Sequence, residues 1–215
     1  MRRILTALTA ALAVLVSGCT SNSTAIPGQG AFVFVSPGGK AEFAYPVGER
    51  GTVEDFTGTS VTDASTTIKL SDYAGQVMVL NVWGSWCGPC RGEAKDLDVA
   101  AELSEGRPVQ FLGINIRDDR SAAADLMAAS ETSFPSIFDP TTRTLLSMKG
   151  LPTSAIPTTI VLDRDHKVAH IFLRVVSAQE LDQAVAALVT EGGGVDAGAA
   201  PTATSPSTGI TGPTS

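Results

Sequence analysis

The feature that most restricts the fold is a junction. Val77-Met78-Val79-Leu80-Asn81-Val82-Trp83 is an almost unbroken apolar run, as a strand covered on both faces requires. After Gly84-Ser85-Trp86 come Cys87-Gly88-Pro89-Cys90, and from Gly88 to about Ser104 the pattern reads as a helix. A buried strand that passes directly into a helix demands a sheet with helices laid against it.

The flanking segments extend this scheme. Val109 to Ile116 is a second buried strand, and about Ser121 to Ser130 an Ala-rich helix with Leu126 and Met127 apolar. Thr141 to Met148 is a shorter helical stretch. A strand from Ile156 to Leu162, a polar turn at 163–167 and a returning strand from Val168 to Val175 follow. Ser177 to Val189 is the last helix, with Ser177 and Glu180 in capping-box spacing. Upstream, Thr67-Ile68-Lys69-Leu70 is a short strand, and Ser71 is placed to cap a one-turn helix ending at Gly75. Phe32-Val33-Phe34-Val35 and Glu42-Phe43-Ala44-Tyr45 flank Ser36-Pro37-Gly38-Gly39, which predicts an N-terminal β-hairpin. The order strand–helix–strand–helix implies parallel strands with a right-handed crossover. The later hairpin implies antiparallel pairing. The expected fold is α/β, three-layered, with a mixed central sheet and helices on both faces.

The ends read differently. Arg2 and Arg3 precede an apolar stretch, Ile4 to Val16, which is short for a bilayer span of about 20 residues and has the length of a signal-peptide core. Leu15-Val16-Ser17-Gly18-Cys19 resembles a bacterial lipobox, in which the cysteine becomes the lipidated first residue. Residues 1–18 are therefore expected to be a signal peptide. Residues 19–30 would be a lipidated N-terminus and flexible tether, 31–190 the folded domain, and 191–215 a Gly/Ala/Pro/Ser/Thr-rich disordered tail. The expected location is the extracytoplasmic face of a bacterial cell membrane. The 215 residues carry a formal net charge of −7 with no basic patch, so nucleic acid is not an expected partner.

Three cysteines are too few for a disulfide-stapled scaffold, and Cys19 is remote from the other two. Cys87 and Cys90 sit where a strand meets a helix. Unsatisfied N–H groups there stabilise a thiolate and lower its pKa below about 8.5. Cys87, at the helix start, is the expected nucleophile toward a disulfide. Cys90, one turn deeper, would resolve the mixed disulfide. Pro89 suits the first helical turn, where a missing N–H is harmless. A zinc site is the competing reading, but there is no second cysteine pair. The histidines, His166 and His170, fall on a polar turn and a strand, about 13 Å apart if extended. A structural disulfide would bridge loops. No metal and no cofactor is expected.

Val82-Trp83-Gly84-Ser85-Trp86-Cys87-Gly88-Pro89-Cys90-Arg91 resembles the active-site run of the thioredoxin superfamily, and most of all its TlpA/ResA-like, membrane-tethered branch. The likeness covers about residues 50 to 190. It includes Glu93, three residues after the second cysteine, Gly113 to Asp119, the stretch through Phe138-Asp139-Pro140, and Ile156-Pro157-Thr158-Thr159. The resemblance implies that Pro157 is cis and lies beside Cys87, with Pro152 as the competing position. It also implies that Trp86, Ile156, Pro157 and Thr158 shape a substrate groove, in which the Ile156 backbone pairs with an extended partner segment. Cytoplasmic thioredoxins place a buried aspartate where this chain has Asn81, and an amide cannot exchange the proton. Glu93 is therefore the candidate acid/base, on the helix face of Cys90, with a pKa raised by burial. Arg91, Lys69 and Lys95 read as solvated charges and Trp83 as core.

The resemblance implies disulfide- or thiol-containing substrate proteins, apocytochromes c among them, and a membrane electron donor. Gly88-Pro89 between the cysteines is the dipeptide of reducing thioredoxins, with potentials of about −270 mV, so reduction is the expected direction. An extracytoplasmic oxidase or isomerase is the alternative. A peroxiredoxin-type peroxidase is a weaker one, since that chemistry wants a threonine where this chain has Gly84.

Overall fold

The computed structural model describes residues 30–36 and 38–192. The expected signal segment, Cys19, nearly all of the tether and most of the tail lie outside them. Eight strands form one sheet: β1 Glu42–Ala44, β2 Thr57–Ser60, β3 Thr67–Lys69, β4 Val77–Trp83, β5 Val109–Ile116, β6 Ser136–Asp139, β7 Thr158–Leu162 and β8 Val168–Phe172. Their spatial order is β1-β8-β7-β4-β5-β6-β2-β3. The pairs β4–β5 and β5–β6 are parallel and the others antiparallel. The α-helices are α1 Gly88–Leu103, α2 Arg120–Ala129 and α3 Ala178–Gly192.

β4 is buried at every position because the pleat sends alternate side chains into two cores. Met78, Leu80 and Val82 pack with Leu112, Ile114, Ile160 and Ile171 on one face. Val77 and Val79 pack on the other face with Leu97 and Ala100 of α1 and Leu181, Val185 and Leu188 of α3. Trp83 continues the second face and joins Ala123 and Met127 of α2. The three α-helices thus cover one side. The other is covered by Phe32, Phe34 and Phe43 and by 3-10 turns at Leu70–Tyr73 and Thr144–Ser147, through Leu70 and Leu145. The helical stretch expected over 141–148 is that second turn alone. The first is closed by Asp72, which accepts from Lys69 N–H, and not by Ser71.

The hairpin expected over 31–45 does not form. Ala31 and Val33 bridge to Thr52 and Lys149, whereas β1 pairs with β8. The two runs meet through rings only, Phe34 edge-on to Phe43 at 5.0 Å and Phe32 to Tyr45 at 5.9 Å. An uncovered edge on β8 offers more unpaired N–H and C=O groups than a local turn can, and β1 blunts it. At the other end, α3 runs on through Gly192. Buried Arg50 holds Glu191 at 2.8 Å and Asp163 at 3.2 Å, tying the helix end to the sheet.

Candidate active site

Cys87 is the N-cap of α1. Its backbone is extended, and its sulfur accepts from Cys90 N–H at 3.2 Å. The two cysteines are joined as a disulfide, with Cα atoms 5.3 Å apart. Cys87 is 4% and Cys90 5% exposed, so both sulfurs are largely shielded from solvent. The amide bond at the helix start is also what would hold the reduced thiolate of Cys87.

The loop before Cys87 is held by a residue the sequence did not single out. Asp118 Oδ1 accepts from Ser85 Oγ at 2.6 Å and from Asp119 N–H at 2.9 Å. Its Oδ2 accepts from Ser85 N–H and, at 2.8 Å, from Asn115 Nδ2. Burial opposes ionisation of Asp118, but the bonds from Ser85 and Asn115 prevail and hold its carboxyl below the usual range. Trp86 lies over Gly84, where a Cβ would stand 2.7 Å from the indole nitrogen. That nitrogen donates to Ile116 C=O at 3.4 Å. The ring stays 49% exposed. Arg91 donates to Ser85 C=O at 2.9 Å, while Lys95 points to solvent.

Behind the cysteines, Glu93 is completely buried. Its Oε1 accepts from Val176 N–H at 2.8 Å and its Oε2 from Asn81 Nδ2 at 3.2 Å. The Asn81 amide also donates to Thr159 Oγ1 at 3.1 Å. Burial pushes the Glu93 carboxyl up to about 7, against the opposing pull of those two donors. A group near neutrality can both take and return a proton at physiological pH. A cavity of about 30 Å³ between α1 and α2 is lined by Cys90, Asn81, Trp83, Leu97 and Met127, room for about one or two waters. The bonds from Val176 N–H to Glu93 and from Asn81 to Thr159 were not legible beforehand, because each joins residues far apart along the chain.

The Ile156–Pro157 peptide bond is cis. Val82 stands opposite Thr158 in the β4–β7 ladder, so Pro157 sits at the end of β4 from which the 84–87 loop departs. Ile156 packs against the cluster that holds Cys87 and Cys90. Thr158 is buried, and its Oγ1 donates to Ala155 C=O at 2.6 Å in the loop that leads to Pro157. His166 lies in the 163–167 turn and His170 on β8.

A central sheet, a cysteine pair capping the first α-helix, a cis proline at the adjoining strand and a buried glutamate one turn on define the thioredoxin superfamily, in its ResA/TlpA-like branch. The chain belongs to the Redoxin family, whose model matches residues 46–188. Among solved structures it is similar to a secreted thiol-disulfide isomerase of Corynebacterium glutamicum. That match is 42% identical, covers 75% of this chain and 99% of that one, and has a TM-score of 0.72. A DsbF homologue from Corynebacterium diphtheriae is 41% identical over 74% of this chain and 100% of its own, with a TM-score of 0.70. The thiol-disulfide oxidoreductase ResA of Bacillus subtilis (strain 168) is 29% identical over 104 residues, 48% of this chain and 56% of that protein. ResA of Geobacillus kaustophilus is matched over 64% of its length, so the chain spans less than two thirds of these curated relatives.

Proposed function

We propose that the protein is an extracytoplasmic thiol–disulfide oxidoreductase that reduces disulfides in secreted or membrane-associated proteins, apocytochromes c among them. The observation that carries the reading is the pairing of Cys87 and Cys90 at a helix N-terminus with Glu93 wholly buried one turn on. In the dithiol form the Cys87 thiolate attacks one sulfur of a substrate disulfide. The other substrate sulfur leaves as a thiolate and is protonated. Glu93 takes the Cys90 proton, directly or through water. The Cys90 sulfur then attacks the Cys87 sulfur of the mixed disulfide. The Cys87–Cys90 bond forms, the second substrate thiolate leaves, and the proton returns to it. Two electrons pass to the substrate, and a dithiol donor, supplied across the membrane, must restore the pair. Trp86, Ile156, Pro157 and Thr158 form or support the groove that positions the substrate strand. The signal-like segment and Cys19 support a lipid anchor outside the membrane, and a Cys19→Ser protein should leave the membrane fraction.

One observation favours a second direction, since the C. glutamicum relative is described as an isomerase. Equilibration of Cys87–Cys90 with glutathione redox buffers separates the two readings. A potential near about −270 mV supports the reductase, whereas one near about −180 mV overturns it in favour of an isomerase and one near about −120 mV in favour of an oxidant.

A further inference from the structure

Arg117 stands at the rim of the site and has no part in the exchange steps. It follows β5 with φ 49°, a left-handed conformation uncommon outside glycine and frequent at functional sites. Its guanidinium lies 5.1 Å from the Trp86 ring centroid, and its Nη2 donates to Thr153 C=O at 2.9 Å. It therefore spans from the residue before Cys87 to the loop that leads into Ile156-Pro157, the two walls of the groove.

Its charge is unspent. Among the described residues no carboxylate pairs with Arg117, although Arg50, Arg107 and Arg174 are all ion-paired. The adjacent carboxylates are committed elsewhere. Asp118 is held by Ser85 and Asn115, and Asp119 caps α2 through Ser121 and Ala122 N–H. Arg91, on the other side of the cysteine pair, is likewise exposed and outside every ion pair of the described residues. Arg117 and Arg91 are thus two exposed guanidinium groups near the cysteine loop that no ion pair among the described residues engages.

Building on the oxidoreductase reading, we infer that Arg117 is a specificity-determining residue, which binds an aspartate or glutamate side chain flanking the target cysteine of the substrate protein. The ring of Trp86 and the Thr153 carbonyl hold the guanidinium at the rim, and its other N–H groups have no partner among the described residues. Arginine suits this task because its planar fork matches a carboxylate.

The test uses two disulfide peptides identical except for Glu or Lys two residues from the reactive cysteine. The wild-type dithiol protein should reduce the Glu peptide with a kcat/KM about five- to tenfold higher, as expected for a charge-assisted contact at a partly exposed site. The preference should shrink in 1 M salt, where the Debye length is about 3 Å. Arg117→Gln should abolish the preference, Arg117→Glu should reverse it, and Arg117→Lys should keep part of it. Equal rates for the two peptides in the wild type overturn the inference without any variant having to fold, as does an unchanged preference in Arg117→Glu. If the wild-type protein exchanges with dithiothreitol but ignores peptide charge, only the role of Arg117 falls. If it does not exchange with dithiothreitol at all, the oxidoreductase reading falls with it.

Discussion

Replacing Glu93 by glutamine keeps the shape of a wholly buried side chain and removes its titration. The carboxyl has an ordinary value of 4.5 and is pushed by burial to about 7 in the fold. The shift is about 2.5 units, and at 1.36 kcal/mol per unit it amounts to about 3 kcal/mol. The sign follows from which state binds the proton more tightly. Between pH 4.5 and 7 the folded protein holds this proton and the unfolded chain has released it. Stability from this group is complete below 4.5, and is lost as pH rises through 7. Urea denaturation of the disulfide form is the assay, because neither Cys87 nor Cys90 titrates in it. The wild type should lose about 3 kcal/mol relative to Glu93→Gln between about pH 4 and 8.5, whatever constant offset separates them. The exchange rate of the variant should also lose its pH dependence near 7. Stability curves that run parallel within about 0.5 kcal/mol would refute a raised Glu93, and an unchanged rate profile would remove it from the proton transfer.

Three other perturbations probe the rest of the site. Cys90→Ser should accumulate a mixed disulfide on Cys87, visible as a mass shift released by reductant, whereas Cys87→Ser should capture nothing. Asp118→Ala leaves buried Asn115 short of an acceptor and frees Ser85, so it should cost about 1–3 kcal/mol in denaturation and slow exchange; a variant with wild-type kinetics would show that the Cys87 loop needs no anchor. Gly84→Ala sets a Cβ 2.7 Å from the indole nitrogen of Trp86. The ring must move, which a shift in tryptophan fluorescence and weaker protein-substrate binding should report, while an unaltered spectrum would contradict the packing.

Local rules made much of the frame legible. The β4–α1 junction was readable because an apolar run, a proline in the first turn and a capping residue all act within a few positions. β2 and β6 were not, since Thr57–Ser60 and Ser136–Asp139 are four-residue strands. β2 has no large apolar residue and β6 only Ile137 and Phe138, too short a run to mark a strand, and they exist because each finds a partner edge. Glu93 was nameable from its spacing to Cys90, but its donors were not. Val176 lies 83 residues away, and Ser85 and Asp118 are separated by 33.

Where a nucleophilic cysteine could sit follows from local sequence, because the field of a helix N-terminus belongs to the helix and is set by neighbouring residues. Tertiary structure alone decided what surrounds it. Only packing shows that β1 covers the edge of β8 instead of closing a hairpin, that Glu93 is stripped of water, and that Arg117 spans the gap between Trp86 and Thr153. Ladder pairing, desolvation and charge balance arise between groups distant along the chain, and so depend on which surfaces the fold brings together.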